Sequence, residues 1–293
     1  MIEGVPDRWM VLRVPRPQDE SRRDLMVEVL LECGARGVEE RDDLLVIYLP
    51  PPSEDPQAFV RRVTRELERV SGSHEIAVEL DWQPHEAWEE RWRTHFKPRR
   101  ITERITVAPS WERPEVPPGT LLLTLDPGIA FGTSDHPTTR GCIRMLDGRV
   151  RPGDRVADVG AGSGILAITA ALLGAADVLA IELDPWACQA ARENLLLNGV
   201  EERVRVRAAP ITSKGLPGEP PFDGIVANIE SSILTPLLPG LRSALEDGGW
   251  LILSGILRTE SEASVVAAAA ADLGLDGVDE EGDWWTGAFV TPD

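Results

Sequence analysis

Val156-Ala157-Asp158-Val159-Gly160-Ala161-Gly162-Ser163-Gly164 is the stretch from which the fold is read. An apolar run holding one aspartate enters a turn with glycine at every second position, and a further apolar run follows at 165–173. Glycine suits a turn that must take positive φ or let backbone approach a ligand closely. The reading is strand, turn, helix, with the turn at the carboxyl edge of a strand, where open α/β sheets bind ligands. The spacing is G-x-G-x-G and not the G-x-G-x-x-G of dinucleotide enzymes.

Outward from that turn the chain alternates. Strands are expected at 155–159, 178–182, 204–207, 224–227 and 250–253, with helices at 165–173, 185–198 (stopped by Gly199), 233–245 and 260–273. Two final strands are expected near Asp276 and Ala288. Such alternation predicts a doubly wound, mostly parallel, seven-stranded Rossmann-like sheet.

The N-terminal part has a different rhythm. A strand pattern at 9–14 is closed by Pro15 and Pro17, and helical spacing at 19–33 stops at Gly34. Strands at 37–40 and 44–49 flank Asp42-Asp43. Phe59, Val63, Leu67 and Val70 make one stripe of a helix at 57–70, and 75–82 alternates like a strand. The order β-α-β-β-α-β predicts a ferredoxin-like α+β domain over 1–82. It carries no catalytic constellation, so a substrate-recognition role is expected, against a purely structural one. A charged linker helix follows at 83–98, with Trp88 and Trp92 four apart. The nucleotide-binding domain then occupies 99–293, opening with strand-like 101–107 and 120–125.

The 293 residues carry a formal charge of −19, so a nucleic-acid-binding face is not expected and a basic partner is. Solubility alone also accounts for the acidity. No run reaches the roughly 18 apolar residues of a membrane span. Met1 to Asp7 lacks the apolar core of a signal peptide, and Cys33, Cys142 and Cys188 have no metal-ligand spacing. A cytoplasmic, monomeric protein without a metal is the expectation.

Three further segments carry chemistry. Glu182 ends the second strand of the sheet, about twenty residues beyond the glycine turn, where a carboxylate accepts hydrogen bonds from ribose hydroxyls. Residues 126–139, Asp-Pro-Gly-Ile-Ala-Phe-Gly-Thr-Ser-Asp-His-Pro-Thr-Thr, read as a loop folding over a ligand. Phe222-Asp223-Gly224-Ile225-Val226-Ala227-Asn228-Ile229 is a strand whose end lies beside that of the first, where a reacting group would sit.

Together these segments resemble the ribosomal protein L11 methyltransferase family of bacteria. Trp88, Trp92 and His95-Phe96, the 125–139 loop, the Gly160 turn, Ala227-Asn228-Ile229 and Leu253-Ser254-Gly255-Ile256-Leu257 fit its pattern over most of the chain. The resemblance implies S-adenosylmethionine as cofactor, held by Thr139, Gly160, Glu182 and Asn228, with Phe131 and Gly162 as neighbours. It implies methyl transfer to lysine or N-terminal amines of the ribosomal stalk protein L11. Asn228 is the candidate that orients the amine. His136 is a candidate for assisting proton loss, against a loop-structuring hydrogen bond. Three positions depart from the family: Ser134 replaces a glycine, Glu230-Ser231 replace small apolar residues, and Ala209-Pro210-Ile211 offers no carboxylate to the adenine amine. Another amine acceptor, a nicotinamide-dependent dehydrogenase, or a binding module without turnover are the competing readings.

Overall fold

A computed structural model describes residues 8–35, 38–41, 43–72, 76–84, 96–126, 132–213, 215–216 and 218–292. The chain divides into two compact units, Met1–His95 and Phe96–Asp293. The first holds β1 (Arg8–Pro15), α1 (Glu20–Glu32), β2 (Val38–Arg41), β3 (Leu44–Leu49), α2 (Pro56–Ser71) and β4 (Glu79–Pro84). Its sheet runs β2-β3-β1-β4 and is antiparallel throughout, which is the ferredoxin-like order. Asp55 caps α2 by accepting the Ala58 amide at 2.9 Å, and Gly72 closes it in the left-handed region. Phe59, Val63 and Leu67 of α2 and Met26 and Leu30 of α1 bury against Met10, Leu12, Leu45 and Ile47. The linker helix with Trp88 and Trp92 falls largely at 85–95, outside the described residues.

The second unit begins with a small sheet, β5 (Arg99–Arg100), β6 (Ile105–Ala108) and β7 (Leu121–Thr124). The single strand expected over 101–107 is instead a hairpin. Thr102 Oγ1 accepts the amides of Arg104 and Ile105 at 3.2 and 3.1 Å and bends the chain there.

The large sheet is built from β8 (Arg155–Val159), β9 (Asp177–Glu182), β10 (Val204–Ala208), β11 (Phe222–Asn228), β12 (Leu245–Leu257), β13 (Gly274–Glu281) and β14 (Trp284–Val290). The order is β10-β9-β8-β11-β12-β14-β13, parallel except for β14 against β12 and β13. Its helices are α3 (Pro137–Arg149), α4 (Ile165–Leu173), α5 (Pro185–Asn198), α6 (Ser231–Ser243) and α7 (Ser261–Ala270), the last entered by a short 3-10 turn. The inner strands β9, β8 and β11 are buried on both faces, as a sheet covered by helices on each side requires, while the edge strands β10 and β13 carry charged, exposed residues. Val156, Val178, Val226 and Ile252 join α3 and α4 in one core. Ala157, Val159, Leu179, Ile225 and Leu251 join α6 and α7 in the other.

Helix α3 is the largest departure from expectation, because 126–139 reads as loop and α3 starts inside it. Thr138, Thr139, Gly141 and Gly148 are weak helix formers. Packing holds the helix instead: Cys142, Ile143 and Leu146 are fully buried, and Arg144 is paired with Asp279 and Glu281 of β13. Strand β12 is longer than expected and α6 starts two residues earlier, while β8, α4 and α5 begin and end where the sequence places them.

Candidate active site

Strand order reverses between β8 and β11, whose register sets Val159 beside Ala227. Connections leave this point in opposite directions, so a crevice opens outside the carboxyl ends of the two strands. The glycine turn lies there, with φ of +75° at Gly160, +54° at Gly162 and +82° at Gly164. A Cβ on Gly160 would touch the Ile229 side chain at 3.4 Å, and one on Gly164 would come within 3.2 Å of the Ala191 Cβ. Both the left-handed backbone and the close approach of α5 therefore call for glycine.

The turn is tied to the next strand by Glu182. Its Oε2 accepts the Gly162 amide at 2.9 Å, and its Oε1 accepts the amides of Leu183 and Asp184 at 2.8 and 2.9 Å. Three donors fix the carboxylate: the two on Oε1 fill its acceptor sites, and the one on Oε2 leaves a lone pair there for a hydroxyl group of a ligand. Asp184 then caps α5 through the Trp186 amide.

Asp158 is the acidic residue of β8, fully buried, with Oδ2 accepting the Ala167 amide at 2.9 Å. Burial, joined by the nearby Glu182 charge and opposed by the Ala167 hydrogen bond, pushes its carboxyl up to about 7.

Asn228 ends β11 at the crevice, nine-tenths buried, and pairs with Ser254 of β12. Thr139 stands in the first turn of α3 and is fully buried. Ser254 brings them into one neighbourhood, since its hydroxyl donates to the Thr138 carbonyl at 3.3 Å. Among the described residues no partner meets Asp158 Oδ1, Thr139 Oγ1, Asn228 Oδ1 or Ser134 Oγ, although all four atoms are buried. A buried polar atom without a partner is costly, so these four mark where a polar ligand would be held.

His136 is the N-cap of α3, with Nδ1 at 2.6 Å from Thr138 Oγ1 and its ring edge-on to Trp284. Burial and the Arg140 charge both lower its pKa. Arg140 donates to the carbonyls of Ser134 and Asp135 and pairs with Glu281, pinning the turn that precedes α3. The backbone at Ser134 avoids the left-handed region, which is why a serine fits where a glycine is expected. Phe131 lies outside the described residues. Glu230 is exposed and takes the Ser232 hydroxyl at 2.7 Å.

Sequence reading missed two buried residues that brace the turn. Ser163 Oγ donates to the Gly132 carbonyl at 2.6 Å. Asn194 of α5 donates to the Ser163 carbonyl at 3.0 Å and accepts the Asp126 amide at 3.2 Å. Asn194 and Asn198, four apart on a helix, were the available signal.

The family model described as "Ribosomal protein L11 methyltransferase (PrmA)" matches residues 18–291. A relative named ribosomal protein L11 methyltransferase from Syntrophotalea carbinolica is 40% identical, with 92% of this chain and 94% of that protein covered. One of the same name from Pelotomaculum thermopropionicum is 38% identical, with 94% and 96% covered. The crystal structure of a ribosomal protein L11 methylase from Lactobacillus delbrueckii subsp. bulgaricus superposes with a TM-score of 0.61 at 34% identity, over 68% of this chain and all of that one.

Proposed function

The chain belongs to the ribosomal protein L11 methyltransferase family, and we propose that it methylates lysine or N-terminal amines of ribosomal protein L11 from S-adenosylmethionine in the cytoplasm. The observation that carries this reading is the set of buried, unpartnered oxygens of Thr139, Asn228 and Asp158 around the glycine turn, with Glu182 braced beside it. These residues suit the cofactor. Glu182 would accept a ribose hydroxyl on Oε2, the Gly160–Gly162 backbone would let the ligand approach closely, and the unpartnered Thr139 and Asn228 oxygens would meet its polar groups. S-adenosylmethionine, when bound, supplies an electrophilic methyl on a sulfonium.

The residues of this chain do the rest by placement. A lysine amine has a reference pKa near 10.4 and must lose its proton before it attacks. A desolvated slot at the end of β11 lowers that value, and the Asn228 carbonyl orients the free amine. We assign His136 to capping α3 rather than to proton transfer, since its Nδ1 is engaged by Thr138. The ferredoxin-like unit is assigned to acceptor recognition, and the net charge of −19 favours a basic acceptor over nucleic acid. The enzyme is taken to act as a monomer.

The test is the intact mass of purified L11 after incubation with enzyme and S-adenosylmethionine. Methyl-sized increments are expected, and Asn228→Ala should slow their appearance by about a hundredfold while thermal unfolding stays near that of the wild type. Absence of increments, with cofactor binding confirmed in the same preparation, would overturn L11 as acceptor and leave another amine.

A further inference from the structure

Strand β12 contains a defect at the point nearest the site. Its pairing with β14 runs Leu253 to Gly287 and resumes at Ile256 to Trp285. Ser254 and Gly255 therefore stand opposite Thr286 alone, a two-against-one bulge. Side-chain alternation breaks with it. Ile252 lies in the α3–α4 core and Leu253 in the α6–α7 core, yet Ile256 lies with Leu253. Gly255 has φ of +82°, and a Cβ there would sit 2.6 Å from the Ile229 carbonyl oxygen, so the bulge presses on the backbone just after Asn228. Bulges next to active sites re-aim side chains and cost ladder hydrogen bonds.

The re-aimed side chain is Ser254. It is fully buried, its hydroxyl reaches the Thr138 carbonyl at 3.3 Å, and its oxygen lies 2.7 Å from Thr286 Oγ1. Since Ser254 gives its proton to Thr138, Thr286 is the donor to Ser254. The buried Cys142 thiol also meets Ser254. On its other side Ser254 accepts the Ile229 amide at 3.1 Å through its carbonyl. One residue thus spans the turn carrying Thr139 and the strand end carrying Asn228. The fit is close, because a Cβ on Gly141 of α3 would fall 2.5 Å from Thr286 Oγ1.

We propose that Ser254 is a positioning residue: its hydroxyl, held at the bulge, sets the first turn of α3 so that Thr139 meets the cofactor opposite Asn228. The inference rests on the reading that Thr139 and Asn228 hold S-adenosylmethionine. It requires that Ser254 act through Thr139, and a purely structural serine would not.

The experiment is a titration of the full chain with S-adenosylmethionine for the wild type, Thr139→Ala, Ser254→Ala and the double variant, with thermal unfolding alongside. Ser254→Ala should weaken binding about tenfold in the wild-type background and less than about threefold in the Thr139→Ala background, because coupled residues are not additive. The inference falls if Thr139→Ala weakens binding and Ser254→Ala does not, or if Ser254→Ala costs the same factor in both backgrounds. If Ser254→Ala fails to fold, Thr286→Val removes the donor to Ser254 and is judged alike, with about threefold expected in the first background and none in the second. A wild type without saturable binding would remove the underlying reading and this inference with it.

Discussion

A carboxyl group sealed in a parallel strand makes its own pH dependence. An aspartate in the unfolded chain titrates near 3.9, whereas Asp158 in the fold is pushed up to about 7. Between those values the folded state keeps a proton that the unfolded state has lost, so the contribution of Asp158 to stability falls as pH rises through that window and is level above it. Asp158→Asn keeps an acceptor for the Ala167 amide and removes the ionisation. In urea unfolding it should match the wild type within about 1 kcal/mol at pH 5 and exceed it by roughly 1–4 kcal/mol at pH 8. A stability difference that does not change with pH would refute the assignment. Asp158 was visible in the sequence as a charge inside an apolar run. So were Gly160, Gly162 and Glu182, because strand, turn and strand end follow at short spacing. Ser163 and Asn194 were not, since the bond between them joins positions 31 apart.

Helix α3 shows what an element owes to its first residue. His136 caps it, and Pro137 occupies the first turn, where its missing N–H costs nothing. Replacement of the cap by alanine costs about 1 kcal/mol. His136→Ala is therefore expected to lower the melting temperature by a few degrees, of order 2–4 °C for a unit of this size. His136→Asn restores a capping oxygen and should restore both stability and methyl transfer to within about threefold of wild type. Restored stability with transfer still reduced by a hundredfold would instead make His136 a proton-transfer residue. The sequence hid this helix because its glycines and threonines read as loop, and its stability comes from β12, β13 and β14, which arrive more than a hundred residues later. By contrast α4 and α5 were legible, since Gly164, Gly174, Asp184 and Gly199 punctuate them at both ends.

At the scale of the whole molecule, charge ties distant strands together. Glu219, on the segment between β10 and β11, pairs with Arg155 of β8 at 2.6 Å, with Arg205 at 3.2 Å, and with Arg207. The Arg205, Arg155 and Arg207 guanidinium groups hold its carboxyl down at about 2, against the cost of its burial. An unfolded glutamate titrates near 4.3, so this stabilisation is complete above that value and is lost as pH falls toward 2. Glu219→Gln should cost about 1–3 kcal/mol at pH 7, nothing near pH 2, and leave S-adenosylmethionine affinity unchanged. An equal cost at both pH values would show that packing, not charge, is at stake. What the sequence determined by itself was the doubly wound sheet, the ferredoxin-like unit, the glycine turn and Glu182. Each is written locally, the two sheets in the periodicity of their elements, the glycine turn and Glu182 in short spacings along the chain. What only the tertiary structure decided was that Thr139 lies in the first turn of a helix, that Asn194 braces the turn, and that a bulge at Ser254 joins Thr138 to Asn228. These depend on segments that meet only after the chain has returned across the sheet, and a hydrogen bond between residues 116 positions apart leaves no period in the sequence.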